Sequence, residues 1–225
     1  NTKYLKIGTS TTSLSTYVWA YNTTVSSVQT LDLSNVVSIG NNALDAISST
    51  TVTKLIANKL QSVGQYGFQN FKGVKKLYLP EIRYIGNYAF ANMTALEELT
   101  LGKDFGTVSH SNGKGFATNP MIGMGANQVV KIIILNTTDV VAPPVYHSNN
   151  PATLGKTQAH ANNVFVVIPA CMESQYAAKY AAGGWGTSSK QYKTPYSNFS
   201  TFEESYSDPA TGITFFWDKV GDTSA

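Results

Sequence analysis

Apolar residues return along this chain at regular intervals, with polar residues in fixed places between them. In Val74–Ala95, VKKLYLPEIRYIGNYAFANMTA, Leu77 and Leu79 flank one residue, Ile82 and Ile85 follow, and Ala89, Phe90 and Met93 close the unit. Val52–Gly73 and Val28–Ser49 repeat it. Leu31, Leu55, Leu77 and Leu99 open an L-x-L pair that Leu33, Ala57, Leu79 and Leu101 complete. The opening leucines stand about 24, 22 and 22 residues apart, a period typical of stacked repeats. Val36, Leu60 and Ile82 correspond, as do Ile39, Val63 and Ile85, each followed by a glycine (Gly40, Gly64, Gly86). Ala43-Leu44, Gly67-Phe68 and Ala89-Phe90 come next, then Ile47, Phe71 and Met93.

Each position predicts local structure. L-x-L has period two, so both side chains face one way, as on a short strand. The recurring glycine suits either a positive φ or a close pass of the next coil. Phe68 and Phe71, like Phe90 and Met93, are spaced to share one face of a helical turn. Each unit therefore reads as a strand, a bend, a second extended piece and one helical turn. A single such unit cannot bury its apolar side, whereas a stack of them makes one continuous core.

The pattern L-x-L-P-x-I-x-x-I-G-x-x-A-F is carried best by Leu77-Tyr78-Leu79-Pro80, Ile85-Gly86 and Ala89-Phe90. It resembles the bacterial BspA-type leucine-rich repeat over three units and the start of a fourth. That family often has cysteine where this chain has Ile47, Phe71 and Met93, all apolar, so the core role survives. The resemblance implies an α/β repeat solenoid: a short right-handed leucine-rich repeat coil with a strand-lined concave face and capped ends.

Residues 1–27 form a degenerate first repeat or N-terminal cap, with Leu5 and Ile7 as its pair and Val18 and Trp19 at its helical-turn position. Residues 28–163 hold the repeats, interrupted by a long glycine-rich loop, 102–127, in which Phe116-Ala117 is a remnant of the Ala-Phe position. Val129–Leu135 and Val164–Pro169 are later strands. Val141-Ala142-Pro143-Pro144 is similar to the step before the family's last coil. Val166 to Pro169, then Tyr176, Tyr180 and Trp185, resemble its closing segment, so 164–193 is expected to be the C-terminal cap and 1–193 the repeat domain. Met172, Tyr176 and Tyr180 stand at helical spacing. Residues 194–225 are an extension, with Ile213–Val220 either an edge strand or a helical turn.

Composition narrows the function. Charged residues make up 13%, about half the usual share. Net charge is +3, and no basic stripe exists, which argues against nucleic acid. One cysteine, Cys171, allows no internal disulfide and reads as a small buried side chain. No stretch reaches the ~20 apolar residues of a membrane span. His110, His147 and His160 do not share metal-ligand spacing, so neither a metal nor a cofactor is expected. His110 with Asp104 and Ser109 in the long loop is the one conceivable catalytic grouping. Gly113-Lys114-Gly115 lacks the spacing of a phosphate-binding loop. The sequons at Asn22, Asn92, Asn136 and Asn198 follow from composition.

The residues between and before the paired leucines point away from the core. Lys54, Ile56, Lys76, Tyr78, Glu98 and Thr100 are thus the candidate ligand-binding residues on an exposed face. The resemblance implies a non-catalytic ligand-binding or adhesion module of a secreted or cell-surface bacterial protein. Its partner would be a host or bacterial surface protein or glycan, and a monomer is expected. A structural spacer within a larger surface protein is the alternative, and an enzyme with its site in loop 102–127 is a third.

Overall fold

The L-x-L pairs form the strands that the pattern predicts. The structure, a computed structural model, describes residues 3–19, 27–45, 47, 51–110, 113–117, 120–125, 127–142, 144, 164–182, 199–202, 205–207 and 214–216. Each of the first four coils holds two short strands: β1 (Tyr4–Lys6) and β2 (Ser13–Leu14), β3 (Thr30–Asp32) and β4 (Ser38–Ile39), β5 (Lys54–Ile56) and β6 (Ser62–Val63), β7 (Lys76–Leu79) and β8 (Tyr84–Ile85). The fifth coil opens with β9 (Glu98–Leu101) and carries a hairpin of β10 (Ser109–His110) and β11 (Gly113–Lys114). β12 (Val130–Ile134) and β13 (Val164–Pro169) follow. A 3-10 turn at Ala170–Met172 leads into helix α1 (Glu173–Ala182), and β14 (Phe199–Phe202), β15 (Ser205–Ser207) and β16 (Thr214–Phe216) come last.

The first strands pair in parallel, as β1-β3-β5 and as β7-β9-β12-β13-β14, with β5 beside β7. The second strands form their own parallel row, β2-β4-β6-β8. Like faces like: Leu31 lies between Leu5 and Leu55, and Leu99 between Leu77 and Ile132. A slip by one residue would turn every leucine outward, so the buried pairs set the register. The result is a solenoid-like repeat fold of parallel sheets with little helix.

The core runs between the two rows. Val36, Leu60, Ile82, Val63, Ile85, Phe68, Phe71, Phe90 and Met93 are all buried. Phe68 stacks on Phe90 of the next coil at 6.0 Å and meets Phe71 edge-on at 6.0 Å. Each fully buried side chain of this size contributes about 1.5–3 kcal/mol of hydrophobic stabilisation.

One local alternative is decided and one expectation changes. The repeating glycines have no positive φ; they are there because the next coil passes too close for a Cβ. One built on Gly86 would lie 2.7 Å from the backbone of Gly64, and one on Gly64 would lie 2.8 Å from that of Asn41. The positive φ falls two residues later, at Asn42, Tyr66 and Tyr88, and again at Asn70 and Asn92. Those left-handed residues stop the predicted helical turn from forming. In its place are isolated turns, such as the Met93 amide on the Phe90 carbonyl at 3.3 Å, which still bring Phe90 and Met93 to the core.

The first coil follows the same plan. The Trp19 amide donates to the Ala43 carbonyl at 3.1 Å, and Trp19 packs against the core, whereas Val18 is exposed. At the other end Met172, Tyr176 and Tyr180 of the α1 region are buried. The Tyr176 hydroxyl accepts the Val141 amide at 3.2 Å, and burial pushes the phenol pKa up. Phe199 packs on Tyr180 at 5.7 Å, and β14 extends the sheet beyond β13. Thr214–Phe216 is a strand paired antiparallel with β15, not a helical turn. Pro143, His147, His160, Trp185, Asn22 and Asn198 lie outside the described residues.

Candidate functional site

The sheet of first strands turns one face to the core and presents two ladders of side chains on the other. One ladder runs through Lys76, Glu98, Lys131 and Phe165, and the other through Tyr78, Thr100, Ile133 and Val167. In the β1-β3-β5 sheet the same two positions give Tyr4, Thr30, Lys54 and then Lys6, Asp32, Ile56. The alternation is that of a strand, one residue in and the next out. Lys54 and Lys76 are exposed, while Ile56, Tyr78 and Glu98 are half-buried.

Charge in the first ladder is paired. Glu98 lies 2.8 Å from Lys131 on one side and 4.0 Å from Lys76 on the other. Lys75 and Glu97, one residue earlier, pair at 2.9 Å on the surface. Such exposed ion pairs add little to stability, each up to about 1 kcal/mol, but they hold the lysine and glutamate heads in order. Near the N-terminal end Asp32 accepts the Tyr4 hydroxyl and the Ser34 amide (2.9 Å) and sits 3.8 Å from Lys6. Burial pushes its carboxyl pKa up, but those hydrogen bonds and the Lys6 ammonium outweigh that and hold it below the usual range.

One predicted site residue is buried. Thr100 is 2% accessible, because its small side chain lies in register between Tyr78 and Ile133, themselves at least half-buried. Two residues of the first ladder were not singled out from the sequence, Lys131 and Phe165, both exposed. The Ile132–Ile134 pair carried the signal, since any residue just before such a pair belongs to this ladder.

The long loop is shorter than its composition suggests. The Ile85 amide donates to Gly115 at 2.9 Å and Ala117 donates back to Ile85 at 2.8 Å, so Phe116 bridges Ile85. Phe116-Ala117 therefore holds the Ile-Gly position, not the Ala-Phe position. The latter passes to Met121, as the Phe90 amide on the Pro120 carbonyl (2.9 Å) shows by matching that of Phe68 on Ala89 (2.8 Å). Met124 is buried. The true insertion is the segment around the β10–β11 hairpin, and the repeat resumes at Gly115.

That hairpin is tied to the next coil. Lys114 pairs with Asp139, whose carboxyl it holds below the usual range. The Asn136 side-chain amide donates to the Phe105 carbonyl at 2.7 Å, and its oxygen accepts the amides of Thr138 (2.6 Å) and Asp139 (2.7 Å). Asn136 is fully buried and engaged, which removes it as a modification site in the folded chain. The carbonyl of Asp104 accepts from Thr107 in a turn (2.8 Å to the hydroxyl). The backbone of His110 pairs with Gly113, and its side chain lies outside what is described. Cys171 is half-buried, and burial pushes its thiol pKa up, away from a reactive thiolate. Among the described residues no cluster of His, Cys, Asp and Glu could hold a metal ion, and no helix is long and apolar enough to cross a membrane.

Comparison with protein families places the coils. The model of the BspA type leucine-rich repeat region matches residues 1–114 in six copies, half of the chain. The chain belongs to the BspA-type leucine-rich repeat family. Six copies exceed the three units most regular in sequence, and the match begins at the first residue, so it takes in the first coil that Leu5 and Ile7 open. The family points to a repeat module of bacterial surface proteins, typically non-catalytic and suited to protein binding. Comparisons with curated proteins and with solved structures gave no match.

Proposed function

We propose that this chain is a non-catalytic ligand-binding or adhesion module of a secreted or cell-surface bacterial protein. It recognises a host or bacterial surface protein or glycan through the outer face of its strand sheet, which we take to be the concave side of the solenoid. The observation that carries this reading is the grouping on that face of half-buried Ile56 and Tyr78 with exposed Lys54 and Lys76 and the half-buried Glu98. Apolar area ringed by ordered charges is the usual make-up of a protein-binding patch, with an aromatic residue at its centre. Thr100 supports the patch from beneath and is not a contact.

The test is a binding screen of the purified chain against extracellular-matrix proteins, host cells and a glycan array, with Tyr78→Ala beside it. The expected result is a specific partner whose affinity falls about tenfold or more in the variant. A partner bound equally well by Tyr78→Ala and by Lys76→Ala would remove the strand face from the reading.

A further inference from the structure

The row of second strands ends, coil after coil, in a left-handed residue, and its identity varies in a telling way. Tyr17 (φ 58°), Asn42 (φ 52°), Tyr66 (φ 58°) and Tyr88 (φ 57°) hold equivalent places. The Tyr17 amide donates to the Asn41 carbonyl at 3.0 Å, that of Asn42 to Gln65 at 2.9 Å and that of Tyr66 to Asn87 at 3.0 Å, so the four residues stand one above another. Left-handed backbone suits glycine and asparagine and is strained for a bulky aromatic residue. Asn42 meets the needs of the fold. Tyrosine in the other three coils therefore calls for a separate reason.

For Tyr66 and Tyr88 part of that reason is mutual stacking, with ring centroids 5.0 Å apart and planes 14° from parallel. Tyr17 stands apart from that stack, because Asn42 comes between it and Tyr66, and it is 55% exposed. The coils at 17 and 66 are two strand spacings apart, roughly 10 Å. The Asn42 side chain is much shorter than a phenol, so the column of tyrosines lacks one member between Tyr17 and Tyr66. A flat ring between two aromatic walls needs about 7 Å, whereas a puckered sugar ring with carbon contacts near ~4 Å on each face needs closer to 9 Å. A gap of two strand spacings thus suits a saturated ring better than a flat one. Its surroundings are amides, Asn41, Asn42 and Gln65, and the Asn41 side chain already accepts the Gln65 amide at 2.8 Å. The nearest charge in sequence is Asp45, which is exposed.

We propose that Tyr17, Asn42 and Tyr66 form a slot for one pyranose ring of a neutral glycan. The tyrosine rings stack on its C–H faces, and the Asn42 amide hydrogen-bonds its hydroxyls at the floor. The proposal rests on the reading of this chain as a binding module but places the glycan on the second-strand row, away from Tyr78.

The experiment uses the full chain and a panel of soluble cello-, manno- and chito-oligosaccharides, with affinities read by calorimetry and folding by thermal melts. Asn42→Tyr completes the aromatic stack and fills the slot, at a position where three other coils already carry tyrosine. It is expected to weaken binding about tenfold or more. Tyr17→Asn removes one wall, places a residue suited to the backbone there, and is expected to do the same. Asn42→Gly keeps the slot open but removes the amide at its floor, so it is expected to weaken binding clearly less than Asn42→Tyr does. Absence of binding to the whole panel overturns the proposal, as does parental affinity in Asn42→Tyr or Tyr17→Asn. Binding of flat aromatic compounds in place of sugars overturns it too. Binding lost in Tyr78→Ala but kept in Asn42→Tyr overturns the slot and leaves the strand-face reading standing.

Discussion

Coils two to four and the fifth coil do the same structural job with different sequences. In the former, leucine faces leucine in register, and the second-strand positions repeat as Ile39, Val63 and Ile85. In the fifth coil Phe116 stands in that place and Met121 stands for phenylalanine. Phe116 packs edge-on against Phe105 at 4.7 Å, a contact the regular coils do not need. The inter-coil backbone bonds continue through both regions. The stack therefore demands a buried apolar group and an aligned amide at each level, and it tolerates changes of residue and of spacing. Where extra chain enters, polar contacts from the next coil, Asn136 and the Lys114–Asp139 pair, fasten it.

The comparison can be broken most forcefully in the regular coils. Leu77→Ala empties a core position shared by neighbouring coils and should cost about 2–5 kcal/mol in denaturant melts. If regular and interrupted coils are held alike, Phe116→Ala should cost at least as much. A much smaller loss there would mean that the fifth coil is only loosely part of the core.

The polar fastening comes next. Asn136→Ala should cost about 1–3 kcal/mol, since it leaves the Phe105 carbonyl and the Thr138 and Asp139 amides without their buried partner. Its effect on hydrogen exchange should concentrate in 103–116 and 136–142, whereas Leu77→Ala should loosen the stack on both sides.

A smaller effect depends on pH. Asp139 has a folded-state pKa below its unfolded one, so the folded chain binds fewer protons. The stabilisation is present above about pH 4, the unfolded value, and is lost as pH falls through the lower folded pKa. Lys114 is partly exposed to solvent, which limits the pair to about 1 kcal/mol or less. Asp139→Asn should flatten that part of the acid profile, leaving the share due to Asp32. An unchanged profile would show that the pair does not fasten the hairpin.

The smallest change is expected on the outer face. Tyr78→Ala should lower stability far less than Leu77→Ala, although the two residues are adjacent, because one faces the core and the other is half-buried on the far side. Equal losses would invert the facing of β7.

The repeat, the register of its strands and the membership of its core were legible in the sequence. Leu31, Leu55, Leu77 and Leu99 mark them by spacing alone, and a period-two pair can face a core in only one way. The candidate face was legible to the same extent, since it is the complement of that pair. Other features depended on what each coil meets when stacked. Thr100 is covered because of the residues beside it in register, which lie far away in the chain. Phe116 takes the Ile-Gly position because its neighbours' amides align with Ile85, which composition, showing only where glycines gather, does not reveal. The left-handed tyrosines and the close pass of Gly86 over Gly64 are likewise facts about adjacent coils. A local pattern determines which residues face inward; tertiary structure decides what each outward residue stands next to, and for a binding module that is where chemical identity resides.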